Sequence, residues 1–127
     1  MVYQGRVFDL VEEEILLESG RQTRFARVVH PGAVVIIPRL GARTLLLIRQ
    51  YRHAVGKTIL EFPAGTLDAG EDPLTCARRE IAEETGHIAA RWQQLGTIYP
   101  APGFCSETQH LFLADDLAPE QIGRAHV

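Results

Sequence analysis

The sequence carries only two cysteines, Cys76 and Cys105, too few for a disulfide framework. A reduced, cytoplasmic setting is therefore expected. No apolar run approaches the roughly 18 residues a membrane helix needs, so no membrane partner is expected. The opening MVYQGRVFDL lacks the charged-then-apolar plan of a secretory signal. A basic excess is missing as well: the net charge is −3, which argues against a nucleic-acid partner. Repeats, low-complexity tracts and Ser/Pro-rich linkers are absent, so residues 1–127 read as a single domain. What is present is 46% hydrophobic and 23% charged, enough apolar material for a core without staples.

The small net charge hides a segregation. Residues 1–60 set eight Arg and one Lys against five acidic residues, whereas residues 61–86 set seven acidic residues against Arg78 and Arg79. A basic stretch followed by an acidic one is either scattered surface charge or two halves of one site.

Strand patterns dominate before residue 62. Residues 6–10 and 14–18 read as two short strands, and Arg24–His30 as a third. The runs Ala33–Pro38 (AVVIIP) and Thr44–Gln50 (TLLLIRQ) are continuously apolar, as in strands buried on both faces. Trp92–Tyr99 and Gln109–Ala114 supply two more strands around a loop at 100–108, and a short helix is expected from Pro119 to Ile122. Only Pro73–Thr85 is strongly helical: Asp72 suits the N-cap, Pro73 the first turn and Gly86 a left-handed stop. Leu74, Ala77 and Ile81 give this helix one apolar stripe. The expected class is α+β. Trp92 and Tyr99 are expected in the core, and the five histidines in structural or exposed positions.

The helix carries an unusual acidic face. Glu80 and Glu84 stand one turn apart on one side, with Glu83 beside them. Like charges at this spacing repel by roughly 0.2–0.5 kcal/mol per pair. The cluster also sits at the C-terminal end, where the helix dipole disfavours anions. A neutralising cation makes sense of this placement, and hard oxygen ligands suit Mg²⁺ or Mn²⁺.

From Gly65 the chain reads GTLDAGEDPLTCARREIAEETGH: Gly65, five residues, Glu71, seven residues, then Arg79-Glu80-Ile81-Ala82-Glu83-Glu84-Thr85-Gly86. This resembles the Nudix box, here spanning residues 65–87, with one departure: His87 stands where the pattern has an aliphatic residue. Arg49-Gln50-Tyr51-Arg52, Glu61-Phe62-Pro63-Ala64-Gly65 and the loop Pro102-Gly103-Phe104-Cys105-Ser106-Glu107 resemble the ADP-ribose pyrophosphatase branch of that family.

The resemblance implies a Nudix fold, with mixed sheets packed on a central catalytic helix as an α/β/α sandwich. It implies hydrolysis of the diphosphate of ADP-ribose to AMP and ribose 5-phosphate. The alternatives are a pyrophosphatase for another nucleoside diphosphate sugar and an inactive ligand-binding module. Glu80, Glu84 and the Ala64 carbonyl are implied as metal ligands, with Glu83 a ligand or a carboxylate just outside. Arg79 is implied to orient Glu71 or Glu83. Glu107 is implied as general base with Glu83 as its competitor, Arg52 and Arg49 as substrate contacts, and Glu61 as a substrate contact or a group reaching the metal region. The branch also implies a homodimer built with residues 1–30. It implies a further strand and terminal helix, for which the stretch from Ala118 to Val127 is too short, so the expectation is either a truncated gene product or another surface, such as a second subunit, that covers the sheet.

Overall fold

Asp72 and Gly86 bound the one α-helix found among the described residues, which are 1–120 of the computed structural model. This helix, α1, spans Pro73–Thr85 as the caps predict. The Asp72 carboxylate accepts the Thr75 N–H at 3.1 Å. Gly86 takes φ of 70°, and its N–H donates to the Ala82 carbonyl.

α1 packs on a four-stranded mixed sheet of β4 (Ala33–Pro38), β7 (Ala64–Thr66), β8 (His87–Ile98) and β9 (Gln109–Pro119), in the order β7-β4-β9-β8. β4 runs parallel to β9 and antiparallel to β7. Val34, Ile36, Phe112 and Ala114 from the sheet meet Cys76, Ala77 and Ile81 from α1 in one buried cluster. The expected stripe is thus the packing face, with Leu74 at its margin. Cys76 joins it, and burial pushes its thiol up to about 12. Trp92 lies edge-on to Phe112, with ring centres 6.2 Å apart. Tyr99, expected in the core, is 65% exposed, because β8 ends at Ile98 and leaves it outside the sheet.

The α+β class is borne out, and several element limits need correction. Residues 6–18 do not form two strands. A single strand β2 (Asp9–Leu16) pairs antiparallel with β3 (Gln22–Val29), and β1 (Tyr3–Gln4) adds to its edge. The acidic Glu12–Glu14 run, which suggests a break, is neutralised across the ladder by Arg24 on Glu12 at 2.6 Å and Arg27 on Glu13 at 2.8 Å. Thr44–Gln50 is not a buried strand either. The strand β5 spans Ile48–Arg52 and pairs only with β6 (Lys57–Glu61), and Leu45 and Leu47 are 48% and 42% exposed. A two-stranded ribbon leaves one side of such a run uncovered. β9 extends through Pro119, so the expected helix does not begin there, and its continuation at Gln121 and Ile122 lies outside the described residues. β8 begins at His87, five residues before the expected start, directly after the Gly86 turn.

Candidate active site

Gly65 and the C-terminal half of α1 meet face to face. A Cβ built on Gly65 would fall on the Glu80 side chain, overlapping its carboxylate carbon. Glycine is therefore what lets Glu80 lie against the β7 backbone. One turn on, Glu84 Oε1 accepts the Ala64 N–H at 2.9 Å. The two carboxylates thus flank the Ala64–Gly65 peptide from one helix face.

Arg79 ties the rest of the acidic run together. Its Nη1 bonds Glu71 at 2.6 Å and Asp68 at 3.1 Å, Nη2 reaches Glu80 at 3.5 Å, and Nε lies 3.9 Å from Glu83. Of the two partners expected for Arg79, Glu71 is the close one. Glu71, with a side chain 11% exposed, also accepts the Asp68 N–H at 3.0 Å, which closes the loop before α1. Glu83 is the outlying carboxylate, its side chain 60% exposed.

The electrostatics of the pair are unfavourable as they stand. Burial holds the Glu80 carboxyl above the ordinary carboxylate range, and the charge of Glu83 adds to this. Glu84 is raised by burial, then by Glu80, against the lowering effect of the Ala64 N–H. Among the described residues no three His, Cys, Asp or Glu side chains gather closely enough to hold a metal ion by themselves. A divalent ion here would need the backbone carbonyl, water or substrate oxygens to complete its shell, which is the habit of Mg²⁺. Two half-buried carboxylates beside a peptide, each raised by burial and crowding, fit that requirement.

Arg52 and Glu61 are joined to each other. Nε and Nη2 of Arg52 donate to the two carboxylate oxygens of Glu61, both at 2.6 Å. Residues 48, 50 and 52 share one face of the ribbon with 57, 59 and 61, so Arg52 lies along that face to reach Glu61. The guanidinium bonds hold the Glu61 carboxyl below its usual range. Arg49 pairs with Leu60 and projects from the opposite face, so the structure does not bring it beside Arg52.

Glu107 is half-buried at the mouth of β9 and receives a long hydrogen bond, 3.3 Å, from Gln109 Nε2. Thr66, Ala33 and Gln109 occupy one row across three strands, roughly 10 Å wide, so the Glu107 loop opens on the same end of the sheet as the box loop. That loop is bound to β3: Val28 N–H donates to Phe104 O at 2.7 Å and Ser106 N–H to Val28 O at 2.9 Å. Ser106 Oγ also accepts the His30 N–H at 3.0 Å. Sequence reasoning missed this attachment, since the partners are 76 residues apart. Its one local signal is the polar Ser106 beside Glu107. His87 stays structural, with Nδ1 2.9 Å from the Thr85 carbonyl. A separate cavity of about 530 Å³ lies by Arg39, Arg91 and Asp115, where Arg39 already grips both Asp115 oxygens.

The fold and this site define an α+β domain whose single described α-helix presents paired carboxylates to a glycine-bearing strand. Residues 29–126 match the NUDIX domain family model, and the chain belongs to the Nudix family. It is 37% identical over 117 residues to an ADP-ribose pyrophosphatase of Bacillus subtilis (strain 168), covering 92% of this chain and 63% of that protein. It is 36% identical over 120 residues to a methanol dehydrogenase activator of Bacillus methanolicus, covering 94% and 65% respectively. A crystal structure of an ADP compounds hydrolase superposes with a TM-score of 0.83 at 29% identity, covering 98% of this chain and 68% of that one. The chain thus spans somewhat under two thirds of the curated relatives it matches.

Proposed function

We propose that the chain, as one domain over residues 1–127, hydrolyses the diphosphate of ADP-ribose to AMP and ribose 5-phosphate. One observation carries the reading: Glu80 and Glu84 flank the Ala64–Gly65 peptide, each raised by burial. Glu80, Glu84 and the Ala64 carbonyl would hold a divalent cation, Mg²⁺ or Mn²⁺, with Glu83 at its edge. When bound, the cation neutralises diphosphate charge and favours attack by water on phosphorus. The pyrophosphatase and hydrolase among the similar proteins support this substrate class.

The chain's own residues do the rest. Arg79 keeps Glu71 and the loop before α1 in place, which fixes the angle of Glu80. Arg52 offers a forked donor to diphosphate oxygens, and Glu61 holds that fork extended until substrate arrives. Arg49, on the other ribbon face, is assigned to a more distant part of the substrate. Glu107 takes the proton of the attacking water, for which it must come within about 3 Å of that water; Glu83 is the competing acceptor. The intact set of box carboxylates speaks against a binding module that has lost catalysis.

We also propose a homodimer built on the N-terminal sheet, which carries Leu16 at 70% and Phe25 at 37% exposure. Light scattering that shows a stable, active monomer would remove it. A reduced cytoplasmic location is consistent with Cys76 and Cys105 both being free. The reaction is tested by a panel of ADP-ribose and other nucleoside diphosphate sugars with Mg²⁺, reading nucleotide and phosphosugar release. Preferred release of AMP from ADP-ribose is expected. Preference for another sugar nucleotide would overturn the substrate, and no turnover at all would overturn the enzyme reading.

A further inference from the structure

We propose that Ser106 is a positioning residue, clamping the Glu107 loop to the end of β3 so that the N-terminal sheet sets the placement of the general base. The proposal rests on the hydrolase reading given above, and on Glu107 in particular. Its basis is a run of hydrogen bonds that grips the chain on both sides of Glu107. On the N-terminal side, Val28 and Cys105 form a parallel bridge, with Val28 bonded to Phe104 O and Ser106 N–H bonded to Val28 O. The Ser106 hydroxyl then accepts the His30 N–H at 3.0 Å, and His30 Nδ1 accepts the Gly32 N–H at 2.9 Å. On the C-terminal side, Ala33 N–H donates to Thr108 O at 2.9 Å.

The same corner touches the box loop. Gly32 O accepts the Leu67 N–H at 3.0 Å. Gly32 has φ of 100°, and a Cβ there would stand 3.3 Å from Leu67 Cδ1 and 3.4 Å from Thr108 O. One glycine therefore sits between the loop that opens the box and the loop that carries Glu107. The Cys105–Ser106 and Thr108–Gln109 peptides on either side of Glu107 are both held, whereas its carboxylate has only the long bond from Gln109. A backbone anchored on both sides of a lightly held side chain suits a group that must present itself at a set point and then move a proton. Ser106 is the one residue of the loop that contributes a side chain to this clamp.

The test compares full-length Ser106→Ala, Ser106→Thr, Glu107→Gln and the Ser106→Ala/Glu107→Gln double variant with ADP-ribose and Mg²⁺. Loss of one hydrogen bond should lower kcat about five-fold in S106A, with KM within about two-fold of the parent. S106T keeps the acceptor oxygen and should restore kcat. In the E107Q background S106A should cost nothing further, because the clamp acts through Glu107. Hydrogen exchange should quicken at the His30 amide in S106A while Ile36 and Phe112 keep their protection. Should S106A lose its fold, Ser106→Cys gives the same comparison with a weak acceptor of similar size. Wild-type kcat in S106A beside an impaired E107Q overturns the positioning role alone. So does an undiminished S106A effect in the E107Q background, or a failure of S106T to restore kcat. Wild-type turnover in E107Q removes Glu107 as base in favour of Glu83 and overturns the positioning role while the hydrolase reading stands; absence of turnover in the parent protein overturns the hydrolase reading itself.

Discussion

Glu80 rests on Gly65 so closely that even a methyl group at that glycine would occupy the carboxylate's place. The contact lies between a strand and a helix, so the glycine cannot be relieved without moving Glu80 or the whole of α1. Gly65→Ala should therefore reduce turnover by more than about ten-fold through displacement of a metal-site carboxylate. Assay of G65A together with its melting temperature checks this. Near-wild-type turnover in a folded G65A would show that Glu80 need not sit there.

The raised Glu80 and Glu84 carboxyls give the metal-free protein a definite pH dependence. A carboxyl whose pKa is higher folded than unfolded binds more protons in the folded state, so stability falls as pH rises from about 4.5 through the folded values. Glu61 and Asp115, held low by Arg52 and Arg39, act oppositely and lose their contribution as pH falls below about 4.5. Thermal melts in EDTA should thus decline above pH 5 in the wild type and decline less in Glu80→Gln and Glu84→Gln. Added Mg²⁺ should raise the wild-type melt near neutral pH and leave the two variants nearly unmoved. Equal Mg²⁺ responses in all three would contradict the ligand assignment.

Arg79 bonds Glu71 at 2.6 Å and reaches Glu80 at 3.5 Å, so on the proposed reading it acts on the reaction only through these carboxylates. Arg79→Lys cannot reproduce a forked guanidinium spread over several carboxylates. It should lower kcat by roughly 10- to 100-fold, with a weaker Mg²⁺ affinity read by titration. A kcat within about two-fold of wild type would reduce Arg79 to a surface ion pair.

The Arg52–Glu61 pair predicts a split between two kinetic parameters. Arg52→Ala removes charged donors to the diphosphate and should raise KM by about ten-fold or more. Glu61→Gln weakens the restraint and should leave Arg52 free to seek phosphate, so KM should change far less. Steady-state kinetics on ADP-ribose decide it. A larger KM rise for E61Q than for R52A would mean that Glu61, rather than Arg52, meets the substrate.

How much of this was legible in the sequence depends on how local each signal is. Helix α1 follows from Asp72, Pro73 and Gly86, whose effects act within a turn, and its limits are as expected. The box carboxylates follow from the same periodicity. The limits of the N-terminal hairpin are not legible locally, because Glu12–Glu14 disfavours a strand on its own and the arginines that compensate stand at 24 and 27. The apolar run in Thr44–Gln50 predicts a buried strand, but apolar continuity does not say whether anything covers it, and only Ile48–Gln50 of that stretch enter β5. The clamp on Ser106 was invisible, since hydrogen bonds from Val28 and His30 depend on how the loop returns to β3. The mutual grip of Arg52 and Glu61 likewise depends on a hairpin register that no single residue announces.

Glu84, bonded to the Ala64 amide at 2.9 Å, is the proposed anchor of a divalent-cation site that drives diphosphate hydrolysis. The most direct measurement is AMP release from ADP-ribose by the wild type and Glu84→Gln across a Mg²⁺ titration. Release should require Mg²⁺ in the wild type and fall by about 100-fold or more in E84Q. Mg²⁺-dependent release at the same rate in both proteins would contradict it.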